Sequence, residues 1–216
     1  DEYSIESLRR ANAAIESGAF ADEVVPVTVS TRKGDVTVEH DEQPGKGRPD
    51  KIPQLRPAFA KDGTITAATS SSISDGAAAV VLSRESVAKA NGQQPVAKIV
   101  AMAAHAQEPA QFTVAPIGAI EKVLNKAGWS ADEVELWEVN EAFACVAMFA
   151  MRDIGIPHEK INVNGGGTAL GHPIGASGTR IIVTLLNALK QQGKKRGVAS
   201  LCIGGGEATA VAVELV

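Results

Sequence analysis

The feature that most constrains this chain is a change of rhythm near Ile65. From there on, short apolar runs alternate with stretches of helical spacing, and glycines mark most of the junctions. Residues 77–82, 96–104, 134–139, 161–164, 198–203 and 208–216 read as strands, the first as a buried one. Between them lie a helix capped by Ser83 and ended by Asn91-Gly92, a helix opened by Pro116 and closed by Gly128, and a helix over 141–153. A last helix spans 176–192, with Ile181, Ile182, Leu185, Leu186 and Leu189 at helical spacing. Ser130-x-x-Glu133 is a capping-box pattern for one short turn. Strands that alternate with helices predict a layered α/β domain.

The first part of the chain is different and reads as a loop-rich insertion or subdomain. Residues 2–16 predict an amphipathic helix with Ile5, Leu8, Ala11 and Ile15 on one face and Gly18 as its stop. Residues 24–30 and 35–39 are β-branched runs joined by Thr31-Arg-Lys-Gly34, a hairpin signal. Residues 43–57, rich in Pro, Gly and charge, predict a long surface loop. The sequence opens at Asp1 without an initiator Met, which points to a removed N-terminus or a piece of something longer.

Composition narrows the function classes. The 216 residues suffice for one large domain or two small ones. A net charge of −4 argues against a nucleic-acid binder, and Lys194-Lys195-Arg196 reads as a solvated loop. Two cysteines, Cys145 and Cys202, make no disulfide framework and point to a reducing compartment. No apolar run approaches the ~20 residues of a membrane span, and no signal or transit sequence is visible. The expected location is the cytoplasm, with mitochondrion and peroxisome as alternatives.

Three residues stand where chemistry is done. Asn140 lies where a strand hands over to a helix, either capping that helix or offering its amide to a developing oxyanion. His172 sits in the glycine-dense stretch 162–178, before Pro173 and a helix, and an imidazole there suits proton transfer. Cys202 ends an apolar strand before Gly204-Gly205-Gly206. It is either a small buried hydrophobe or a thiol activated by exposed N–H groups and a nearby imidazolium. His40, His105 and His158 read as surface residues, and Cys145 as part of a core. Gly165-x-Gly167 matches a dinucleotide loop poorly, and no Cys/His metal spacing is present.

Asn140-Glu-Ala-Phe143, Gly171-His-Pro-Ile-Gly175 and Cys202-Ile-Gly-Gly-Gly206 resemble, in order and spacing, the three C-terminal motifs of the thiolase family. The opening helix, Pro57-Ala-Phe59 and residues 66–76 also resemble thiolase segments, so the likeness covers essentially the whole chain. Residues 136–140 and 61–66 look closest to the acetyl-CoA acetyltransferases. The resemblance implies a layered α-β-α-β-α fold. Residues 1–74 would then be the second part of a substrate-covering loop domain, 75–95 the last strands of an N-terminal domain, and 96–216 a C-terminal domain.

The resemblance further implies reversible Claisen condensation of two acetyl-CoA through a cysteine thioester, a step in fatty acid metabolism. His172 would activate that cysteine and help form an oxyanion hole. Asn140 would hold a water in the first oxyanion hole, and Cys202 would move the α-proton. The Gly204 N–H would serve a second hole. Ser71, Phe59, Ala142, Phe143 and Phe112 would line the substrate channel. Coenzyme A thioesters are expected as substrates, with no separate cofactor and no metal. The expected partners are the missing N-terminal half and further copies in a dimer of dimers, with no nucleic acid and no membrane.

Departures from the family's pattern also bear on function. The nucleophilic cysteine of the family has no match here, so the chain alone is expected to be inactive and to expose an apolar face. Thr69-Ser70 stands where Asn-Ala is commoner, and Lys46 or Arg48 is the candidate partner for the coenzyme A phosphates. The alternatives are a longer-chain 3-ketoacyl-CoA thiolase and a non-catalytic fragment that binds coenzyme A esters. A condensing synthase of the same fold would use two histidines in place of His172 and Cys202.

Overall fold

A computed structural model describes residues 1–216. The chain opens with helix α1 (Glu2–Ser17), which ends at Gly18 in the left-handed region (φ 74°), with the Gly18 N–H returning to the carbonyls of Ala14 and Ile15. A two-stranded ribbon follows, β1 (Val27–Thr31) against β2 (Gly34–Val38), antiparallel and exposed throughout. Residues 43–57 lie on the surface as expected but are not featureless. Two short 3₁₀ turns bury Pro44 and Ile52, and Ile52 packs with Leu8, Ala11 and Ala169 under α1.

The rest builds one sheet between two helical layers. After the short helix α2 (Glu85–Ala90) come β3 (Ala97–Ala106), α3 (Ala115–Ala127), β4 (Leu136–Val139) and α4 (Ala144–Ile154). They are followed by the single turn α5 (Gly167–Leu170), α6 (Ser177–Gln191), β5 (Arg196–Ile203) and β6 (Glu207–Leu215). The sheet order is β3-β6-β5-β4, with β4 parallel to β5 and the other pairs antiparallel.

The two-residue period of a strand decides which side chain meets which layer. Trp137, Val139, Val198 and Cys202 join the core formed with α3 and α4. Leu136 and Ala199 join the smaller core under α6, with Ile181, Leu185 and Leu189. A methylene-rich side chain at such a site, Leu185 for example, carries ~2–5 kcal/mol against truncation to Ala.

Several boundaries differ from the sequence reading. Residues 77–82 form no strand, and Val81 is 94% exposed. A strand needs a partner for its N–H and C=O groups, and no segment of this chain pairs with 77–82. The expected last strands of an N-terminal domain are therefore not formed over 77–82, while the layered α/β architecture is as expected. Arg84, not Ser83, occupies the N-cap of α2, and the Ser83 hydroxyl turns to the Arg84 carbonyl. Helix α4 begins at Ala144 rather than at 141, because Glu141 and Ala142 are engaged by other segments. Residues 161–164 make one bridge, Ile161 to Trp137, and not a strand, because Asn162 turns the chain with φ 47°.

Candidate functional site

Strands β4 and β5 run parallel, so their C-terminal ends share one edge of the sheet, the usual place for a ligand in such folds. Val139 faces Ser200 in the register, and the Asn140 N–H donates to the Ser200 carbonyl at 2.9 Å. Asn140 and Cys202 therefore leave the sheet within two residues of each other on neighbouring strands.

His172 is brought to this edge from a distant turn. Its backbone N–H donates to the Ser72 carbonyl at 2.9 Å. Its ring Nδ1 lies 2.6 Å from Ser177 Oγ, and that hydroxyl donates to the Pro173 carbonyl at 3.0 Å. A hydroxyl has a single proton, so Ser177 accepts from an Nδ1–H. That assigns the tautomer and leaves the lone pair on Nε2. Nε2 faces Asn140 Nδ2 at 3.4 Å. Burial, and secondarily the Arg180 cation, hold the His172 pKa below the usual imidazole value. The ring is a neutral base with its basic nitrogen aimed at Asn140.

Asn140 does not cap α4, since Phe143 holds the N-cap position. It is 1% exposed, and its Oδ1 has no partner. A buried acceptor without a donor costs ~1–3 kcal/mol, which a bound water or ligand donor would relieve.

Cys202 is 7% exposed and makes no hydrogen bond to His172. Burial pushes its thiol up to about 11, and the neighbouring Cys145 adds to the rise. Of the two readings the sequence left open, this favours the small buried side chain, since the apolar core around the sulfur favours the neutral thiol. Cys145 is half-buried rather than fully in the core.

Around Phe143 the channel candidates do converge. Phe59 and Phe112 lie 6.0 and 6.1 Å from it, centroid to centroid. Ala142, Phe143 and Phe112 pack against the core that contains Cys202. The Ser71 N–H and hydroxyl both donate to the Ala142 carbonyl, at 3.1 and 3.0 Å. The Ser71 oxygen is left as an acceptor for a ligand N–H.

The turn after β5 exposes Gly204, whose N–H has no acceptor in the chain. Gly206 closes the turn with φ 95°, and a Cβ there would stand 2.5 Å from the Gln107 carbonyl. Lys46 pairs with Glu42 at 3.1 Å and Arg48 with Asp50 at 3.4 Å, all four exposed. Such surface pairs are weak enough for a phosphate to displace. Thr69 accepts from Ala144 N–H through its carbonyl, and Ser70 bridges Phe143, so this pair fixes the loop to the start of α4.

Three groups escaped the sequence reading. Glu141 is fully buried and accepts from Tyr3, Ser7, Asn162 and both the N–H and hydroxyl of Thr168, at 2.7–3.1 Å. Asn162 acts as a surrogate strand for Val139, taking its N–H at 2.9 Å and returning a bond to its carbonyl at 2.8 Å. Ser177, described above, orients His172. Of these only Ser177 had a signal, five residues beyond the histidine. His105 and His158 are half-buried rather than superficial: His105 lies against Gly118 and bonds Gln107, and His158 stacks on Tyr3 at 5.4 Å. Gly165 serves packing on α1, where a Cβ would meet Ala11 and Ser7 at 2.7 Å. No group of three or more His, Cys, Asp or Glu is placed to hold a metal.

Comparison with known proteins places this geometry. Residues 93–215 match the family described as thiolase, C-terminal domain, and residues 1–86 the one described as thiolase, N-terminal domain. An acetyl-CoA acetyltransferase from Yarrowia lipolytica is 51% identical over 216 residues, which are 100% of this chain and 54% of that protein. The crystal structure of the Bacillus anthracis acetyl-CoA acetyltransferase superposes with a TM-score of 0.97 at 42% identity, covering 100% of this chain and 55% of that one. An Ascaris suum thiolase in complex with coenzyme A gives 0.90 at 40% identity, with the same coverage. The chain spans about half the length of the relatives it matches.

Proposed function

The chain belongs to the thiolase family, and from that premise we propose that it is the C-terminal part of an acetyl-CoA acetyltransferase whose nucleophilic cysteine lies on the absent half. The observation that carries this reading is the contact of the His172 Nε2 with Asn140 at the sheet edge that also ends in Cys202 and the free Gly204 N–H. Coenzyme A thioesters enter as substrates along Ser71, Phe59, Phe112, Ala142 and Phe143.

In the cleavage direction His172 Nε2 takes the proton of the nucleophilic cysteine, and the thiolate attacks the 3-keto carbon of acetoacetyl-CoA. The oxyanion at that carbon is met by His172 and by a water on Asn140, whose unpartnered Oδ1 supports such a water. The C2–C3 bond breaks, its electron pair passes into an acetyl-CoA enolate, and the acetyl group stays on the cysteine as a thioester. The Gly204 N–H, free of any acceptor in the chain, is a donor for the second oxyanion of the cycle.

Cys202 then gives its proton to C2, and its high pKa makes the thiol the resting form for that task. The Cys202 thiolate next takes the proton of incoming coenzyme A. The coenzyme sulfur attacks the acetyl thioester and frees the nucleophile. Condensation runs these steps backward, with Cys202 as the base that removes the α-proton.

The test uses the intact enzyme with Cys202→Ala and His172→Ala. Cys202→Ala is expected to cut α-proton exchange of acetyl-CoA by ~10²–10⁴-fold while an acyl-enzyme still forms. His172→Ala is expected to suppress the acylation burst with acetoacetyl-CoA. Unchanged exchange in the first, or an undiminished burst in the second, would refute the assigned role.

A further inference from the structure

Two segments far apart in the sequence lie backbone to backbone at His172. The His172 N–H donates to the Ser72 carbonyl at 2.9 Å, and Ile73 and His172 form a parallel bridge. Glycines on both segments allow the approach. A Cβ at Gly76 would stand 2.7 Å from Pro173 Cγ, and one at Gly171, where φ is 85°, would overlap Ser74 Oγ. The backbone of His172 thus follows that of Ser72.

Ser72 is in turn tied to the loop that carries Lys46 and Arg48. Gln43 Nε2 donates to Ser72 Oγ at 2.6 Å in half-buried surroundings. No other hydrogen bond joins residues 41–54 to residues 66–76. The backbone of Gln43 is fixed as well: its N–H donates to Asp41 Oδ1 at 2.8 Å, and its carbonyl accepts from the Lys46 N–H at 3.1 Å. The turn that Gln43 opens rests on α1, where Pro44 is buried and a Cβ at Gly47 would stand 2.5 Å from Leu8 Cδ2. Hydrogen bonds of 3.1, 2.6 and 2.9 Å therefore lead from Lys46 through Gln43 and Ser72 to the backbone of His172.

We propose that Gln43 is a positioning residue for His172: it ties the loop of Lys46 and Arg48 to the histidine turn, so that a thioester whose nucleotide phosphates engage that loop also holds the base in place. This rests on the reading of His172 as the base of the site and of coenzyme A thioesters as its substrates. Binding energy gained at the remote end of a substrate raises the rate only when a rigid connection carries it to the reacting groups. The Gln43–Ser72 bond is that connection here. A bond that served stability alone would affect long and short thioesters equally.

The experiment compares kcat of the intact enzyme for acetoacetyl-CoA and for acetoacetyl-pantetheine, which lacks the nucleotide and its phosphates. The unsubstituted enzyme is expected to favour the longer substrate by ~3–10-fold in kcat. Q43M has similar reach but no donor, and S72A keeps the carbonyl under His172. Each should bring the ratio close to one by lowering kcat for acetoacetyl-CoA, and the double variant should do no more than either. A ratio that neither variant changes, or losses that add in the double variant, would overturn the proposal. A second readout needs no turnover: amide hydrogen exchange at His172 in the full chain should quicken ~3–10-fold in Q43M and in S72A, the scale of one hydrogen bond. Exchange unmoved in both also overturns the proposal. An unchanged ratio in an enzyme that turns over sinks the positioning role alone. Quickened exchange, in an intact enzyme that transfers no acetyl group, supports the tie and sinks the acyl-transfer reading.

Discussion

Residues 77–82 and the strand β4 are both short apolar runs, yet they end in opposite states. In β4 every residue is buried: β5 pairs one edge, the Asn162 side chain closes part of the other, and helices cover both faces. In 77–82 no partner is present, and Val81 and Leu82 are 94% and 72% exposed. Nearby, Ile73 is 95% exposed although its backbone bridges His172. An apolar run specifies a strand only when something supplies the second half of its ladder. The difference separates a run whose ladder this chain supplies from one whose ladder it does not.

The largest effect is expected from breaking the complete side. Glu141→Ala removes the acceptor of five hydrogen bonds from three separate segments. At ~1–3 kcal/mol for each buried donor left alone, two such losses already cost ~2–6 kcal/mol against the ~5–15 kcal/mol of a typical domain. Thermal unfolding should then lose its cooperative transition, and a midpoint within a few degrees of the unsubstituted chain would show that the hub is dispensable.

A smaller effect should follow on the open side. Val81→Asp is expected to leave the stability of this chain within about 0.5 kcal/mol, because the side chain touches little. It should nonetheless weaken association with the absent half, read by co-purification. A large loss of stability in the chain alone would show that the segment is not waiting for a partner.

The same contrast explains what the sequence could reveal. Helix ends at Gly18 and Gly128, the strands β3, β5 and β6, and the turn after β5 were legible because local patterning sets them. The pairing of Asn140 with His172 was foreshadowed by their motifs and is present at 3.4 Å, whereas Cys202 makes no hydrogen bond to either. Glu141 was not, because its partners Tyr3 and Ser7 are 138 and 134 residues away. Residues 77–82 were misread for the converse reason, since their local pattern is sound and the missing element is tertiary. For Cys202 the sequence left a buried hydrophobe and an activated thiol both open, because glycine N–H groups are visible in a sequence and the apolar walls around a sulfur are not; burial favours the first.

The most direct test of a divided active centre is deuterium exchange into the methyl group of acetyl-CoA, measured with this chain alone and with it joined to an upstream half that carries a reactive cysteine. Exchange should arise only in the joined enzyme and should vanish there with Cys202→Ala. Equal exchange by the chain alone, or exchange in the joined enzyme that survives the loss of Cys202, would contradict it.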